Sequence, residues 1–243
     1  MMIVSFKNNF IFVKTRKVGG TSVEILLSAH CGKDDVVTSI TPRDERLKLP
    51  IGGRMAANYL HNRSYERLYA LAVRARLLKL AGFVRDHARR KFKQHEPLSR
   101  IIELVGPEFC DRAFKFTIER HPYEKVLSSM YFHLSNFERR NADIRIEDSL
   151  RRLDQKIDAD QLGKSSDWHR YTVGGRVAVD RVLRYENLQQ DLDDVLAHLG
   201  LSGTLALPSA KSGFKSKAID PHEVLTARHK RAIQDAFANE FEF

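Results

Sequence analysis

The stretch FIFVKTRKVGGTSVEILLS, from Phe10 to Ser28, decides the fold. It begins as an apolar strand, is interrupted by two adjacent glycines, and continues as an amphipathic helix. A tight strand-to-helix turn directs backbone N–H groups and the positive end of the helix toward one point, where an anion can bind. Lys17 adds a charge to this turn, and the hydroxyls of Thr21 and Ser22 lie at the helix start.

The order of residues in this turn differs from that of a nucleotide triphosphatase. A Walker A loop places its lysine after the glycines, whereas Lys17 precedes Gly19 and Gly20. No acidic residue that would hold magnesium stands clearly at a strand end. The loop is therefore expected to bind a phosphate without a metal, and no metal site is predicted. The motif alone also allows an ordinary strand-to-helix turn with a Thr or Ser cap.

The composition indicates a soluble protein that binds anions. The 243 residues are 42% hydrophobic and 30% charged, with a formal net charge of +10 and a pI of about 9.7. Nucleic acid, anionic lipid, an acidic glycan or a phosphorylated cofactor could each satisfy this charge. No apolar run is long enough for a membrane span, and no secretory signal is evident. The only cysteines, Cys31 and Cys110, argue against a disulfide framework and favour a cytoplasmic location.

Strand and helix patterns alternate along the chain. Short apolar runs, as in a buried parallel sheet, predict strands at 10–14, 35–38, 113–118 and 179–184. Helical patterns occur at 21–29, 122–139, 188–199 and 221–239. The alternation predicts a single α/β domain over 1–243, with a mostly parallel central sheet flanked by helices. The anion-binding turn after the strand at 10–14 makes the expected sheet P-loop-like.

A basic helical segment, residues 63–93, is predicted as an insert in this domain. It carries ten Lys or Arg against only Glu66 and Asp86, and its apolar stripe is imperfect. Three interpretations stay open: a solvated amphipathic helix, a groove for an acidic glycan, and a docking face for an anionic membrane surface. The residues before it, 42–62, are predicted to form a loop.

A second anion-binding element is predicted in FKFTIERHPYEKVLSSMYF, from Phe114 to Phe132. Arg120 ends a strand, and Ser128 lies on the helix that follows. A strand-end arginine binds phosphate through paired donors, and a serine on the next helix can complete the contact. The alternative is an ordinary strand end whose arginine pairs with a neighbouring glutamate.

Together the two elements resemble the sulfotransferases that use 3′-phosphoadenosine 5′-phosphosulfate (PAPS), specifically the carbohydrate-type group with its bacterial members. RKVGGTS at 16–22 is similar to the family's PKTAGTS, and RHPYEKVLS at 120–128 is similar to its RDPYxRxxS. The signatures occur in the family's order, about 100 residues apart, and the resemblance covers most of the chain outside 63–93. Two positions depart from the pattern: Arg16 replaces the proline, and Glu119 replaces a hydrophobic residue.

The resemblance implies an enzyme that moves a sulfuryl group from PAPS to a hydroxyl of a carbohydrate or glycolipid. Lys17 would stabilise the leaving phosphate. His95, just upstream of a helix, is the first candidate for the base, ahead of His61 and His121. The residues expected to bind the donor are Arg16, Gly19, Gly20, Thr21, Ser22, Arg120, Ser128, Lys211 and Lys215.

Other functions stay open at this point. The main alternative is a non-catalytic nucleotide- or glycan-binding protein on the same scaffold, and a nucleotide kinase would need its loop lysine elsewhere. Nucleic acid is not favoured as a partner, because the basic residues cluster in one segment without interleaved aromatic residues. The expected location is cytoplasmic, with peripheral contact to an anionic membrane through 63–93.

Overall fold

The computed structural model describes residues 2–132, 142–201 and 220–243. Its strands are β1 (Ile3–Ser5), β2 (Phe10–Phe12), β3 (Val36–Val37), β4 (Phe114–Glu119), β5 (Thr172–Val173), β6 (Arg176–Val177) and β7 (Arg181–Arg184). The central sheet has the order β3–β1–β2–β4–β7, and β5 and β6 form a separate hairpin. Because β1 alone runs against the other four central strands, the sheet is mixed and mostly parallel. The predicted α/β class is confirmed.

Helices flank the central sheet. They are α1 (Gly20–Ser28), α2 (Pro42–Glu45), α3 (Arg63–Arg74), α4 (Leu78–His87), α5 (Leu98–Val105), α6 (Pro107–Arg112), α7 (Pro122–Phe132), α8 (Ala142–Asp158), α9 (Trp168–Tyr171), α10 (Leu188–His198), α11 (Pro221–Val224) and α12 (Ala227–Ala236). Turns of 3-10 helix occur at Arg46–Ile51, Gly163–Ser165, Tyr185–Asn187 and Ala238–Glu242. Within the described ranges, none of these helices combines the length and apolar character needed to cross a bilayer.

The core lies on both faces of the sheet because side chains alternate along each strand. Ile3 and Phe12 pack on one face with residues of α1 and α10. Val4 and Ile11 pack on the other face with residues of α3, α4, α5 and α6. A third cluster joins α7, α8 and α12. Burial on both faces explains why the central strands are continuous apolar runs.

All four predicted strands are present: three are two residues shorter than predicted, and β4 has the predicted length but lies one residue further along the chain. The structure adds β1, whose three residues are too short a run to distinguish from an apolar chain start. The basic segment forms the two helices α3 and α4, which are separated where Arg76 adopts a φ of 61°. The predicted loop at 42–62 contains α2 and a 3-10 turn.

Two predicted helices differ in extent. The helix predicted at 122–139 is described through Phe132, and 133–141 lie outside the described residues. The helix predicted at 221–239 is divided into α11 and α12. The break occurs because Thr226 caps α12, forming a reciprocal capping box with His229.

Candidate functional site

The two predicted anion-binding elements meet at one edge of the sheet. Strands β2, β4 and β7 are adjacent and parallel, so their carboxyl ends open on the same edge. The glycine-containing loop follows β2, Arg120 follows β4, and Tyr185 follows β7. Nη1 of Arg120 donates to the carbonyl oxygen of Lys17 at 3.5 Å. The structure therefore joins elements that are 103 residues apart in sequence.

The loop takes its shape from two residues with left-handed backbone conformations. Lys17 has a φ of 65°, and Gly19, which precedes α1, has a φ of 71°. A Cβ at position 19 would lie 3.1 Å from Cε2 of Tyr185, so this position needs glycine for both conformation and space. No described side chain caps the N-terminus of α1. The N–H of Ser22 donates to the carbonyl of Gly19 at 3.0 Å, and the N–H groups of Gly20 and Thr21 before it can therefore face an external anion.

A buried ion pair lies beneath the loop. Nζ of Lys14 donates to Oε2 of Glu24 at 2.9 Å and to Oγ1 of Thr21 at 3.3 Å. Gly20 packs directly on this lysine, since a Cβ there would lie 2.9 Å from Cε of Lys14. The hydroxyl of Thr21 therefore supports the loop from inside, whereas Ser22 is partly exposed. Sequence analysis does not single out Lys14, although a lysine in an apolar strand is a usable signal.

Lys17 reaches toward α7. Its ammonium lies 4.1 Å from the centroid of the Phe132 ring, a cation–π contact. Phe132 is one helical turn beyond Ser128, so the two residues lie on one face of α7. The lysine and the serine predicted from the two motifs are thus directed to the same helix face.

Arg120 is held in place by two neighbours. Its Nε and Nη2 donate to Oε2 of Glu124 at 2.9 and 2.8 Å, the pairing that the sequence left as an alternative. Its guanidinium carbon lies 4.3 Å from the centroid of the Tyr185 ring. Because Tyr185 also packs against Gly19, its ring lies beside both the loop and the arginine. Tyr185 is not among the residues expected from the sequence to form the site; its position at a third strand end is the signal for a role there.

Arg16 is bound to Asp167, which lies at the start of α9. The backbone N–H of Arg16 donates to Oδ2 and its Nε donates to Oδ1, both at 2.7 Å. Its Nη2 donates to the carbonyl of Ser166 at 3.0 Å. The residue that replaces the family's proline thus fixes the loop through a partner 151 residues away.

Asp167 is the centre of a buried charge network. It accepts a bond from Nε of Arg170 at 2.6 Å and lies 3.2 Å from Nζ of Lys125. Lys125 also donates to both carboxylate oxygens of Glu119, at 2.8 and 3.1 Å. Burial alone would raise the pKa of Asp167, but Lys125 and Arg16 lower it to about 2. Burial raises the pKa of Glu119 to about 7 against the opposing effect of Lys125.

The network accounts for the charge at Glu119 and contains two residues that the sequence did not point to. The charge at Glu119, a departure from the family pattern, is paired inside the protein with Lys125. Lys125 and Asp167 were both missed by sequence analysis. A buried lysine on α7 and a buried aspartate before α9 have no sequence spacing that would link them.

His95 lies beside the strand that leads into the loop. Its Nδ1 is 3.1 Å from the carbonyl oxygen of Lys14, and because a carbonyl only accepts, Nδ1 carries the proton. Its own carbonyl accepts a bond from Arg170. Burial lowers the pKa of His95 to about 3, with Lys14 and Arg170 adding to the effect. The ring is therefore neutral near pH 7, with Nε2 as its proton acceptor.

We expect His95 to make the stability of the protein depend on pH. Its pKa is about 3 in the folded protein against an ordinary value of 6.5, so the unfolded chain binds the proton first as the pH falls. The free energy of unfolding should therefore decrease between about pH 6.5 and pH 3, and His95→Gln should remove that part of the decrease. Urea unfolding over this pH range measures the difference, with the exposed His61→Gln as control. A difference between wild type and His95→Gln that is constant with pH would contradict this assignment.

The remaining candidates lie at different places. His121 is exposed next to Arg120, and its backbone N–H donates to Oε1 of Glu186 at 3.0 Å. His61 precedes α3 and is exposed. Lys211 and Lys215 lie outside the described residues. Within the described ranges, no group of three or more His, Cys, Asp or Glu side chains is arranged to hold a metal ion.

Comparisons of the chain with protein-family models, with curated proteins and with solved structures find no match. A function for this chain is therefore inferred from its motifs and from the geometry at the edge formed by β2, β4 and β7.

Proposed function

We propose that this chain is a PAPS-dependent sulfotransferase that acts on a hydroxyl of a carbohydrate or glycolipid. The observation that carries the proposal is the contact between the loop and Arg120 at adjacent carboxyl ends of parallel strands, where Nη1 lies 3.5 Å from the Lys17 carbonyl. A donor with a 3′-phosphate and a 5′-phosphosulfate needs two neighbouring anion sites. A helix N-terminus after a glycine turn suits one group, and the guanidinium of Arg120 suits the other once a phosphate replaces Glu124 at its Nε and Nη2. The sheet edge is in this sense P-loop-like.

The residues present fit such a donor. The first turn of α1, Ser22 and Lys17 would hold the phosphosulfate, because no side chain caps that turn and Lys17 lies in the loop just before it. Arg120 and Ser128 would hold the 3′-phosphate. Tyr185 would keep the two groups of residues at a fixed separation through its contacts with Gly19 and Arg120.

Lys17 and His95 would have different roles in the reaction. PAPS supplies an activated sulfuryl group, and transfer forms a bond from sulfur to the acceptor oxygen while the bond to the phosphate oxygen breaks. The ammonium of Lys17 stabilises the negative charge that develops on that phosphate oxygen. Nε2 of His95 takes the proton of the acceptor hydroxyl. A neighbouring anion would raise the pKa of His95 from about 3 and improve it as a base.

One observation favours a second candidate, a non-catalytic nucleotide- or glycan-binding protein on this scaffold. A histidine with a pKa of about 3 is a weak base, since general bases work best with a pKa near the operating pH. Incubation with labelled PAPS and a panel of glycans separates the two candidates. Transfer to any member of the panel supports the enzyme, and nucleotide binding without transfer supports the second candidate.

We expect 3′-phosphoadenosine 5′-phosphate to stabilise the protein. At 100-fold over its dissociation constant a ligand adds about 2.7 kcal/mol, which raises the melting temperature by several degrees in a chain of this size. Arg120→Ala should reduce this shift strongly, but it should change the shift with adenosine 5′-phosphosulfate, which lacks the 3′-phosphate, much less. Arg100→Ala removes an exposed arginine on α5 and serves as the matched control. No shift of the wild type at millimolar nucleotide would refute the proposal.

A further inference from the structure

Exposed apolar side chains concentrate on the two basic helices. Of the thirteen large hydrophobic residues that are exposed in the described part of the chain, seven lie within residues 65–83. The most exposed are Leu71 at 65%, Phe83 at 61% and Leu77 at 55%. A concentration of this kind marks an interaction surface more often than a surface that faces only water.

These side chains are not the ones that attach the helices to the core. Leu68 and Leu71 are three residues apart on α3, Leu80 and Phe83 are three apart on α4, and Leu77 lies in the connection. A different set packs into the core: Tyr69, Ala72, Val73, Ala81 and Val84. We call the exposed set of Leu68, Leu71, Leu77, Leu80 and Phe83 the apolar face of α3–α4. It is available for a partner without unfolding either helix.

A basic cleft adjoins this surface. An open cavity of about 530 Å³ lies between α3 and the segments 31–33 and 52–58, and its cationic lining residues are Lys33, Arg54, Arg63, Arg67 and Arg74. Among the described residues that line the cleft, Glu66 is the one acidic residue. Its carboxylate accepts backbone N–H groups at 2.7–2.9 Å, from Asn58, Tyr59 and Leu60. The cationic side chains of the lining outnumber this carboxylate five to one, so the cleft has a strong positive charge.

The cleft is separate from the proposed donor site. Cys31, which lines it, follows the C-terminal end of α1, whereas the glycine-containing loop precedes the other end. A helix of nine residues is about 14 Å long, and that length lies between the two places. Arg63, Arg67 and Arg74 share one face of α3, and Leu71 lies next to that face.

We propose that α3 and α4 dock this protein on an anionic lipid bilayer. The apolar face of α3–α4 would enter the boundary between headgroups and acyl chains, and the basic cleft would bind a headgroup phosphate. Residues 63–93 carry ten Lys or Arg against two acidic residues, which favours an anionic surface over a zwitterionic one. An acidic glycan or a nucleic acid would form ion pairs with the arginines of the cleft but would leave the exposed leucines in contact with water. The inference is independent of the chemistry at the β2–β4–β7 edge.

Cosedimentation of the full chain with lipid vesicles tests this proposal. We expect binding to vesicles that contain phosphatidylcholine and phosphatidylglycerol, little binding to phosphatidylcholine alone, and weaker binding as salt is added. The double variant Leu71→Ser and Phe83→Ser should bind about tenfold more weakly, because it removes apolar area that enters the bilayer. Arg63→Ala and Arg67→Ala should each weaken binding about fivefold.

The matched control replaces exposed valines on the β5–β6 hairpin, Val173→Ser and Val177→Ser, and should bind as the wild type does. Thermal unfolding of each variant verifies that it is folded. Equal binding to both kinds of vesicle, or full binding by the Leu71→Ser and Phe83→Ser variant, would overturn the proposal. It would also fail if heparin or RNA bound more tightly than vesicles did and the two serine substitutions left that binding unchanged.

Discussion

Replacing Lys17 with alanine should slow sulfuryl transfer on the order of 100- to 1000-fold, the usual loss when one donor to a developing oxyanion is removed. The loop holds Lys17 at a positive φ between β2 and α1 and directs its ammonium toward α7. Because the negative charge on the phosphate oxygen develops mainly in the transition state, the rate should fall much more than nucleotide affinity does. Single-turnover transfer from labelled PAPS measures the rate, and calorimetry with 3′-phosphoadenosine 5′-phosphate measures the affinity.

Lys7→Ala is the matched control for this experiment. It removes the same charge from an exposed position in the turn between β1 and β2, at the opposite end of β2 from the loop, so the transfer rate should stay near that of the wild type. Transfer that is equally fast with and without Lys17 would remove this residue from its assigned role. An equal loss of affinity and rate would instead make Lys17 a residue that binds the ground state.

Asp167→Asn should destabilise the fold by about 3–5 kcal/mol, the usual effect of removing one partner from a buried charge network. Asp167 is fully buried and lies within bonding distance of Arg16, Lys125 and Arg170. An asparagine would leave these cations with one fewer anion and would present an amide N–H₂ group to donors. At about 2–4 °C per kcal/mol for a chain of this size, the melting temperature should fall by about 6–20 °C. Calorimetry or circular dichroism measures this change.

Asp194→Asn provides the comparison, because this aspartate pairs with Arg181 at an exposed site, where ion pairs contribute little. It should unfold close to the wild-type temperature. If Asp167→Asn melted at the same temperature as Asp194→Asn, the buried network would contribute no more to the free energy of unfolding than an exposed ion pair does.

The central strands could be predicted because a sheet covered on both faces leaves uninterrupted apolar runs, as at 113–118. β1 could not be predicted in this way, since its pairing with β2 and β3, and not its length, makes it a strand. The division of the last helical segment depends on a capping box in which His229 occupies the place usually taken by Glu or Gln. Hydrophobic periodicity continues across such a break and gives no sign of it.

The contact between the loop and Arg120 could be predicted in outline, because carboxyl ends of neighbouring parallel strands meet at one edge. The surroundings of that contact could not. Arg16 was expected to bind the donor, yet its guanidinium bonds to Asp167 in the structure. Lys125 and Asp167 come together only through the packing of α7 against the segment before α9. No local spacing encodes contacts between residues so far apart in the chain.

The bond from the backbone of Arg16 to Asp167 has a consequence for the order in which the molecule assembles. It closes a chain segment of 151 residues, and contacts of such separation are among the slowest to form because the chain entropy of closing the segment must be lost first. The loop belongs to the first strand-helix unit of the chain, yet part of its geometry is supplied by a residue that the ribosome adds much later. The proposed anion site, encoded near the N-terminus, would thus become complete only when the C-terminal half of the protein has folded against it.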